Sequence, residues 1–502
     1  MKNFPLLYQL NTRVYLTELS ESLGREAALD DIPDSKLQQI ADSGFDWLWL
    51  LSVWQTGPAS QQVSRSNPEW RADFQRTLPD LKESDIAGSG FAITDYRVHK
   101  NLGGDESLAK LRERLRKFGL RLMLDFVPNH TGLGHKWVEA DPEFYVAGTE
   151  SDLLEAPQNY TRVKTKTADL ILAYGRDPYF SGWPDTLQLN YANPATQEAM
   201  VGELLRIAEQ CDGLRCDMAM LVLPDVFART WGMQSNPFWS EATRRVKEKV
   251  PNFTFMAEVY WDMEWELQQQ GFDFTYDKRL YDRLREGNAR AVREHLLADL
   301  DYQSKMARFL ENHDEPRVAA TFPLEMHQAA AVITFLSPGL RFFHEGQFEG
   351  RQKRISPHLV RGPVEPRSDA LVSFYDRLLK ALRSPLLHQG QWQLLDCSSA
   401  WEGNASVENF ICFNWHAAER EIRVLVAVNY SSVWSQCYVQ LPSDAISEGE
   451  WQLKDEIGDA VYERDGSELR AKGLYLDMPP WGAHVFSMSK VTSKETASTA
   501  SV

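Results

Sequence analysis

Gly213-Leu214-Arg215-Cys216-Asp217-Met218-Ala219-Met220 has the pattern of a short strand that ends in an acid. Alternate side chains of a strand share a face, so Arg215 and Asp217 project the same way. A guanidinium beside a carboxyl favours the ionised form, which predicts a lowered pKa and an anionic Asp217 at neutral pH. A carboxylate held in that state suits a nucleophile. It would equally suit a cap on the next helix or a structural ion pair, and the neighbouring stretches decide between these.

Upstream, residues 120–127 (LRLMLDFV) form an apolar run ending in Pro128-Asn129-His130, and residues 46–53 (DWLWLLSV) form another. Such near-continuous runs are expected of strands buried on both faces. Residues 8–16 alternate and read as a first strand. Downstream, strands are predicted over 253–259, 272–275, 305–310 and 340–343. Helical spacing falls between these runs, at 33–43, 108–118, 194–210, 238–249, 264–270, 289–300 and 325–335, with a last helix at 369–382. Eight strand–helix units predict a closed (β/α)8 TIM barrel. The first strand is followed by no GxGxxG, which argues against a dinucleotide fold.

Alternation pauses between Thr131 and Pro184, too long for an ordinary connection. The barrel is therefore assigned to residues 1–130 and 185–388, with a small inserted domain at 131–184. Short β-rich runs then predict a C-terminal antiparallel β-sandwich domain at 389–488. Residues 489–502 are rich in Ser and Thr and read as a disordered tail.

The chain has 502 residues and a formal net charge of -17, which argues against nucleic acid or an anionic membrane as partner. Its five cysteines form no CxxC pair and read as reduced thiols. With no signal-peptide pattern and no apolar run of spanning length, a cytoplasmic protein is expected.

Reactive side chains of such barrels gather at the C-terminal ends of the strands. Reading those ends selects Asp125, Asn129 and His130, then Arg215 and Asp217, then Glu258, then His313 and Asp314. Glu258 ends an apolar run and precedes Val259, Tyr260 and Trp261, so desolvation should raise its pKa. Two acids pushed apart in pKa are the acid and nucleophile of glycosidic cleavage. A salt-bridged barrel glutamate is the plainer alternative. Asp314 sits in a polar cluster from Phe309 to Arg317 that either grips sugar hydroxyls or forms an Asx turn. Trp54, Trp70, Trp137, Trp183, Trp231 and Trp261 fall in or beside post-strand loops, where aromatic faces either stack on sugars or simply pack.

Four stretches carry a family resemblance: Asp125-Phe126-Val127-Pro128-Asn129-His130, Gly213-Leu214-Arg215-Cys216-Asp217, Ala257-Glu258-Val259-Tyr260 and Glu311-Asn312-His313-Asp314. In order and spacing they resemble the α-amylase family, glycoside hydrolase family 13, and more its α-glucosidase-like branch than a typical starch α-amylase. Trp183-Pro184-Asp185-Thr186-Leu187-Gln188-Leu189-Asn190 resembles that family's motif at the end of its inserted domain.

The resemblance implies Asp217 as nucleophile, Glu258 as acid/base and Asp314 as transition-state stabiliser. It implies substrate contacts at Asp95, Phe91, His130, Arg215, His313 and Arg317, with Trp183 and Trp261 as stacking faces. The substrate would be an α-glucoside or oligosaccharide. No cofactor is required; Asn129 is the candidate ligand should Ca2+ bind. Met220 and Leu221 stand where many starch-degrading members carry Lys-His, and Phe91 stands where a tyrosine is usual. The loop holding Arg351, Lys353, Arg354 and Arg361 is basic, and is either salt-bridged or aimed at an anionic group.

Two reactions share these residues: hydrolysis, and transfer by a transglycosidase, phosphorylase or isomerase. A non-catalytic scaffold would be expected to lack at least one acid. A metal-dependent barrel would need ligands where Arg215 stands.

Overall fold

The structure, a computed structural model, describes residues 4–166, 168–417, 423–442 and 446–491. Eight parallel strands close a barrel in chain order: β1 Leu6–Asn11, β2 Trp47–Leu51, β3 Arg121–Phe126, β4 Gly213–Cys216, β5 Thr254–Ala257, β6 Phe274–Tyr276, β7 Met306–Arg308 and β8 Leu340–His344. Every residue of β2 is buried, as the unbroken WLWLL run requires of a strand covered by side chains inside and helices outside. Closure is made by β8 on β1, with Leu6 opposite Arg341 and Gln9 opposite His344.

The first strand is shorter than the sequence reading. It stops at Asn11, and a helix runs from Thr12 to Leu23. Apolar residues at 14 and 16 fit either period over so short a stretch, and packing against the barrel selects the helix. Both Val14 and Leu16 are buried there.

An insertion follows β3. Its base is an antiparallel pair, His130–Gly132 with Thr186–Gln188, and it carries a hairpin of Tyr160–Lys164 with Asp169–Ala173. After the helix Asp369–Leu382 come a six-stranded and a three-stranded sheet. Cys412 and Leu425 of the larger sheet share a core with Cys437 and Leu476 of the smaller, which makes the unit a sandwich.

This unit docks on the barrel. Trp415 Nε1 donates to Leu336 O at 2.7 Å and Tyr430 Oη to Leu284 O at 2.7 Å. That contact explains why helix Leu324–Leu336 is buried almost all round, covered on one side by barrel strands and on the other by the sheet. The last strand, Ala483–Lys490, extends past the expected end of this unit. The expected disordered tail falls, from residue 492, outside the described residues. Among the described residues no helix is long and apolar enough to cross a membrane.

Candidate active site

β4 and β5 pair with Cys216 opposite Ala257, and the ladder continues one residue beyond each strand. Asp217 N donates to Phe126 O at 2.8 Å, and Glu258 N donates to Cys216 O at 3.0 Å. The two acids therefore leave the barrel at the same level. Met218 then turns into the left-handed region at φ 39°, which aims its N–H at Glu258 Oε2, 2.8 Å away. Asp314 arrives from the loop after β7. The Asx turn foreseen there belongs to Asn312, whose Oδ1 accepts from Asp314 N and Glu315 N at 2.8 Å each, so the Asp314 carboxyl is not spent on capping the loop.

Arg215 joins the three acids. Its Nη1 lies 2.6 Å from Asp217 Oδ1, and its Nη2 lies 2.7 Å from Glu258 Oε2 and 3.9 Å from Asp314 Oδ2. The guanidinium is fully buried, so its charge is balanced by these carboxyls and not by water.

Their protonation differs. Burial pushes Glu258 up; Arg215 opposes this, the Asp217 and Asp314 charges add to it, and the carboxyl comes to about 7. Asp314 is 43% exposed; desolvation raises its carboxyl too, but His313, then Arg215 and Arg354, outweigh it and hold it at about 2. Asp217 corrects a sequence expectation. Arg215 does pull it down, yet burial is the larger effect and lifts it above its ordinary value, with Asp314 and Asp125 adding to the rise.

These three acids line one cavity of ≈ 270 Å³. Phe91, His130 and Trp183, three of the side chains for which the resemblance implies substrate contact, line it too. Phe91 lies parallel to the His313 ring with centroids 5.4 Å apart. Gln9 Nε2 donates to His313 Nδ1 at 3.0 Å, which directs Nε2 to Asp314 Oδ2, also 3.0 Å away. Burial alone brings His130 to about 3, so it is neutral at pH 7.

Other expected contacts lie elsewhere. Asp95 is outside the cavity, in an ion-pair cluster with Arg97, Lys136 and Arg206 at 3.4–3.7 Å. Arg317 is buried under the loop, where its Nη1 holds Glu311 Oε1 and Glu345 O at 2.6 Å each. Trp261 packs against Tyr179, rings 5.0 Å apart, and does not line the cavity. Trp54 and Trp137 are buried packing. In the basic loop, Arg361 pairs with Asp80 and Asp85 and Arg354 with Asp73. Met220 and Leu221 are buried in a turn below Asp217 and present nothing polar.

At Asn129 both the backbone O and Oδ1 accept from Gln188 Nε2 at 2.9 Å, and Leu189 O accepts from the same nitrogen at 3.1 Å. An amide nitrogen thus fills the point on which the three oxygens converge. That arrangement does not fit Ca2+, which needs six to eight oxygen ligands of its own. Among the described residues no group of three His, Cys, Asp or Glu is disposed to hold a metal.

The structure also adds lining residues that strand-end reasoning did not select, Asp185, Met218 and His358, and of the six tryptophans singled out it brings Trp70 and Trp183 into the wall. Trp70 comes from the helix Pro68–Thr77 and packs on His358 with centroids 4.7 Å apart. Burial lifts the Asp185 carboxyl to about 7, and its Oδ2 has no hydrogen-bond partner among the described residues. Its place in the Trp-Pro-Asp stretch was the only available signal.

A (β/α)8 barrel with an insertion after β3, a C-terminal β-sandwich and three carboxyls about one arginine defines the class. The chain belongs to the α-amylase family: residues 29–356 match the family model described as "Alpha amylase, catalytic domain". It is 24% identical to an α-amylase (MalA) of Haloarcula japonica over 358 residues, covering 70% of this chain and 44% of that protein. It is 23% identical to an α-glucosidase of Culex pipiens over 387 residues, covering 68% of this chain and 61% of that one. The chain thus matches about half the length of these relatives. In fold it resembles the maltogenic α-amylase AmyB of Thermotoga neapolitana, with TM-score 0.67, 18% identity, and 97% and 99% of the two chains covered.

Proposed function

We propose that the chain is a retaining hydrolase of α-glucosidic bonds in oligosaccharides or small α-glucosides. Asp217 attacks the anomeric carbon while the Glu258 proton passes to the leaving glycosidic oxygen. The carbon–oxygen bond breaks and a glycosyl ester forms on Asp217. Glu258, now a carboxylate, takes a proton from water whose oxygen attacks the same carbon and frees Asp217. Asp314, held anionic, faces the positive charge that develops on the sugar ring. His130 and Phe91 position that ring, Trp70 and Trp183 wall it in, and His313, buried behind them, orients Asp314.

One observation carries the reading: a single buried guanidinium lies 2.6 Å from Asp217 and 2.7 Å from Glu258, while burial lifts Glu258 to about 7 and His313 and Arg215 hold Asp314 at about 2. Both carboxyls sit on one guanidinium and open on one cavity, where they can flank a glycosidic bond. The cavity of ≈ 270 Å³ lies just under the range that takes drug-sized ligands, which favours one or two sugar units over a long chain.

Transfer to a sugar acceptor or to phosphate is the second reading, favoured by the aromatic walls that shield an ester from water. Product analysis on maltose, maltooligosaccharides, sucrose, trehalose and isomaltose, with and without phosphate, separates the two. Free glucose as the main product supports hydrolysis. New glycosides, isomerised disaccharide or glucose phosphate as the main product would replace it with transfer. Asp217→Asn lowers either activity by about four orders of magnitude or more.

A further inference from the structure

A cavity of ≈ 660 Å³, more than twice the volume around the acids, lies across the segment that carries Phe91. Ser84 and Ala87 line it, whereas Ser89 and Phe91 of the same segment line the catalytic cavity. Gly88 stands between the two. Its carbonyl accepts from Arg13 Nη1 at 2.8 Å, and Arg13 lines the larger cavity.

Arg13 and Arg341 are the buried arginines held only by neutral acceptors among the described residues, and of the two Arg13 lines this cavity. Arg13 is only 7% exposed, its hydrogen-bond partners are the neutral Gly88 O and Thr56 Oγ1, and among the described residues no carboxylate pairs with it. Arginines are rarely buried without a carboxylate, because desolvating an unbalanced charge is costly. Burial, opposed by the nearby Asp125 charge, brings this guanidinium to about 10.

Two more donors share the wall. His99 Nδ1 accepts from Asn101 N at 3.2 Å, so the ring proton sits on Nε2; burial, with Arg13 and Lys100, brings the ring to about 4. Lys100 is exposed at the rim. The side chains of Ser84 and Asn101 make no hydrogen bond among the described residues and remain available to hydroxyls. Glu26, exposed on the rim, is the one acid lining the cavity. In a chain of net charge -17, this is a local reversal of sign around a concave site large enough for a small organic molecule.

We propose that this cavity is a second, non-catalytic binding site for a small phosphate monoester bearing hydroxyl groups, of the hexose phosphate class. The phosphate lies against Arg13 and Lys100, and the hydroxyls meet Ser84, Asn101 and His99. Because Arg13 also holds Gly88, the occupant alters how firmly the segment presents Phe91 to the catalytic cavity.

Calorimetric titration of the full chain with glucose 6-phosphate, inorganic phosphate and glucose tests this. Glucose 6-phosphate binds at one site per chain, and Arg13→Gln and Lys100→Gln each weaken it about tenfold. Trp183→Ala, which alters only the catalytic cavity, leaves that binding unchanged. Saturating glucose 6-phosphate shifts KM for a neutral α-glucoside in the wild-type chain. Should Arg13→Gln fail to fold, Lys100→Gln decides, since its side chain is exposed. Inorganic phosphate binding as tightly as the ester keeps the anion site and makes free phosphate its ligand. Binding no tighter than that of glucose, unchanged in the folded variants, or abolished by Trp183→Ala overturns the proposal.

Discussion

The backbone N–H of Met218 donates to Glu258 Oε2 at 2.8 Å, across from β4 to β5. This bond exists because Met218 takes a left-handed conformation at φ 39°, ψ 48°. It fixes one oxygen of Glu258, while Tyr260 Oη donates to the other at 2.8 Å.

A non-glycine residue in that region stores strain, and a β-branched one stores more. Met218→Val should destabilise the chain by about 1–3 kcal/mol in urea unfolding. Met218→Gly, at a conformation glycine adopts freely, should stay within about 1 kcal/mol of wild type. Equal losses in both would show that side-chain packing, not the backbone, sets this turn.

Glu258 should govern the alkaline limb of the pH profile. As general acid it must be protonated, so kcat/KM falls as pH rises through about 7. Stability moves in the same direction. A carboxyl raised above its unfolded value contributes stability that is full below about 4.3 and is lost as pH rises through the folded value near 7. Asp185 and Glu264 are also raised to about 7 and act in the same window. Glu258→Gln should therefore flatten, without abolishing, the fall in Tm between pH 5 and 8. An unchanged slope would mean that Glu258 is already ionised at pH 5.

Arg317 and Glu311 form a pair with 2% and 0% side-chain exposure that does not line the cavity. Arg317→Ala leaves a buried carboxylate unpaired and should cost about 3–5 kcal/mol. KM of the folded fraction should change little. A large rise in KM with normal stability would restore Arg317 to the substrate contacts.

Asp95 pairs with Arg97, Lys136 and Arg206 in a partly exposed cluster. Exposed pairs contribute about 0–1 kcal/mol each, so Asp95→Ala should cost little stability and leave kcat/KM within about twofold. A tenfold fall in kcat/KM would contradict its placement outside the cavity.

Much of this molecule was legible from the chain, and the exceptions have physical reasons. Runs such as Trp47–Leu51 and Thr254–Ala257 read as strands because a barrel strand is covered on both faces, so apolar continuity is itself the signal. Asp217 and Glu258 followed because they come one residue past such runs. Asp95 and Arg317 did not, because position in a motif says nothing of which way a side chain turns once neighbouring charges compete for it. Trp70 was a candidate stacking face whose side needed tertiary packing to decide, since its helix reaches the cavity through His358, nearly three hundred residues away in sequence. The direction of the Asp217 shift also needed the fold, because the arginine was visible in sequence and the depth of burial was not.

The most direct test is a trapping experiment. In Glu258→Gln an α-glucosyl fluoride, whose leaving group needs no acid, can form the ester, but no base remains to activate water. Mass spectrometry after a rapid acid quench should find one glucosyl residue added, on the peptide that contains Asp217. A label on Asp314, or no label while Asp217→Asn retains wild-type turnover, would contradict the account.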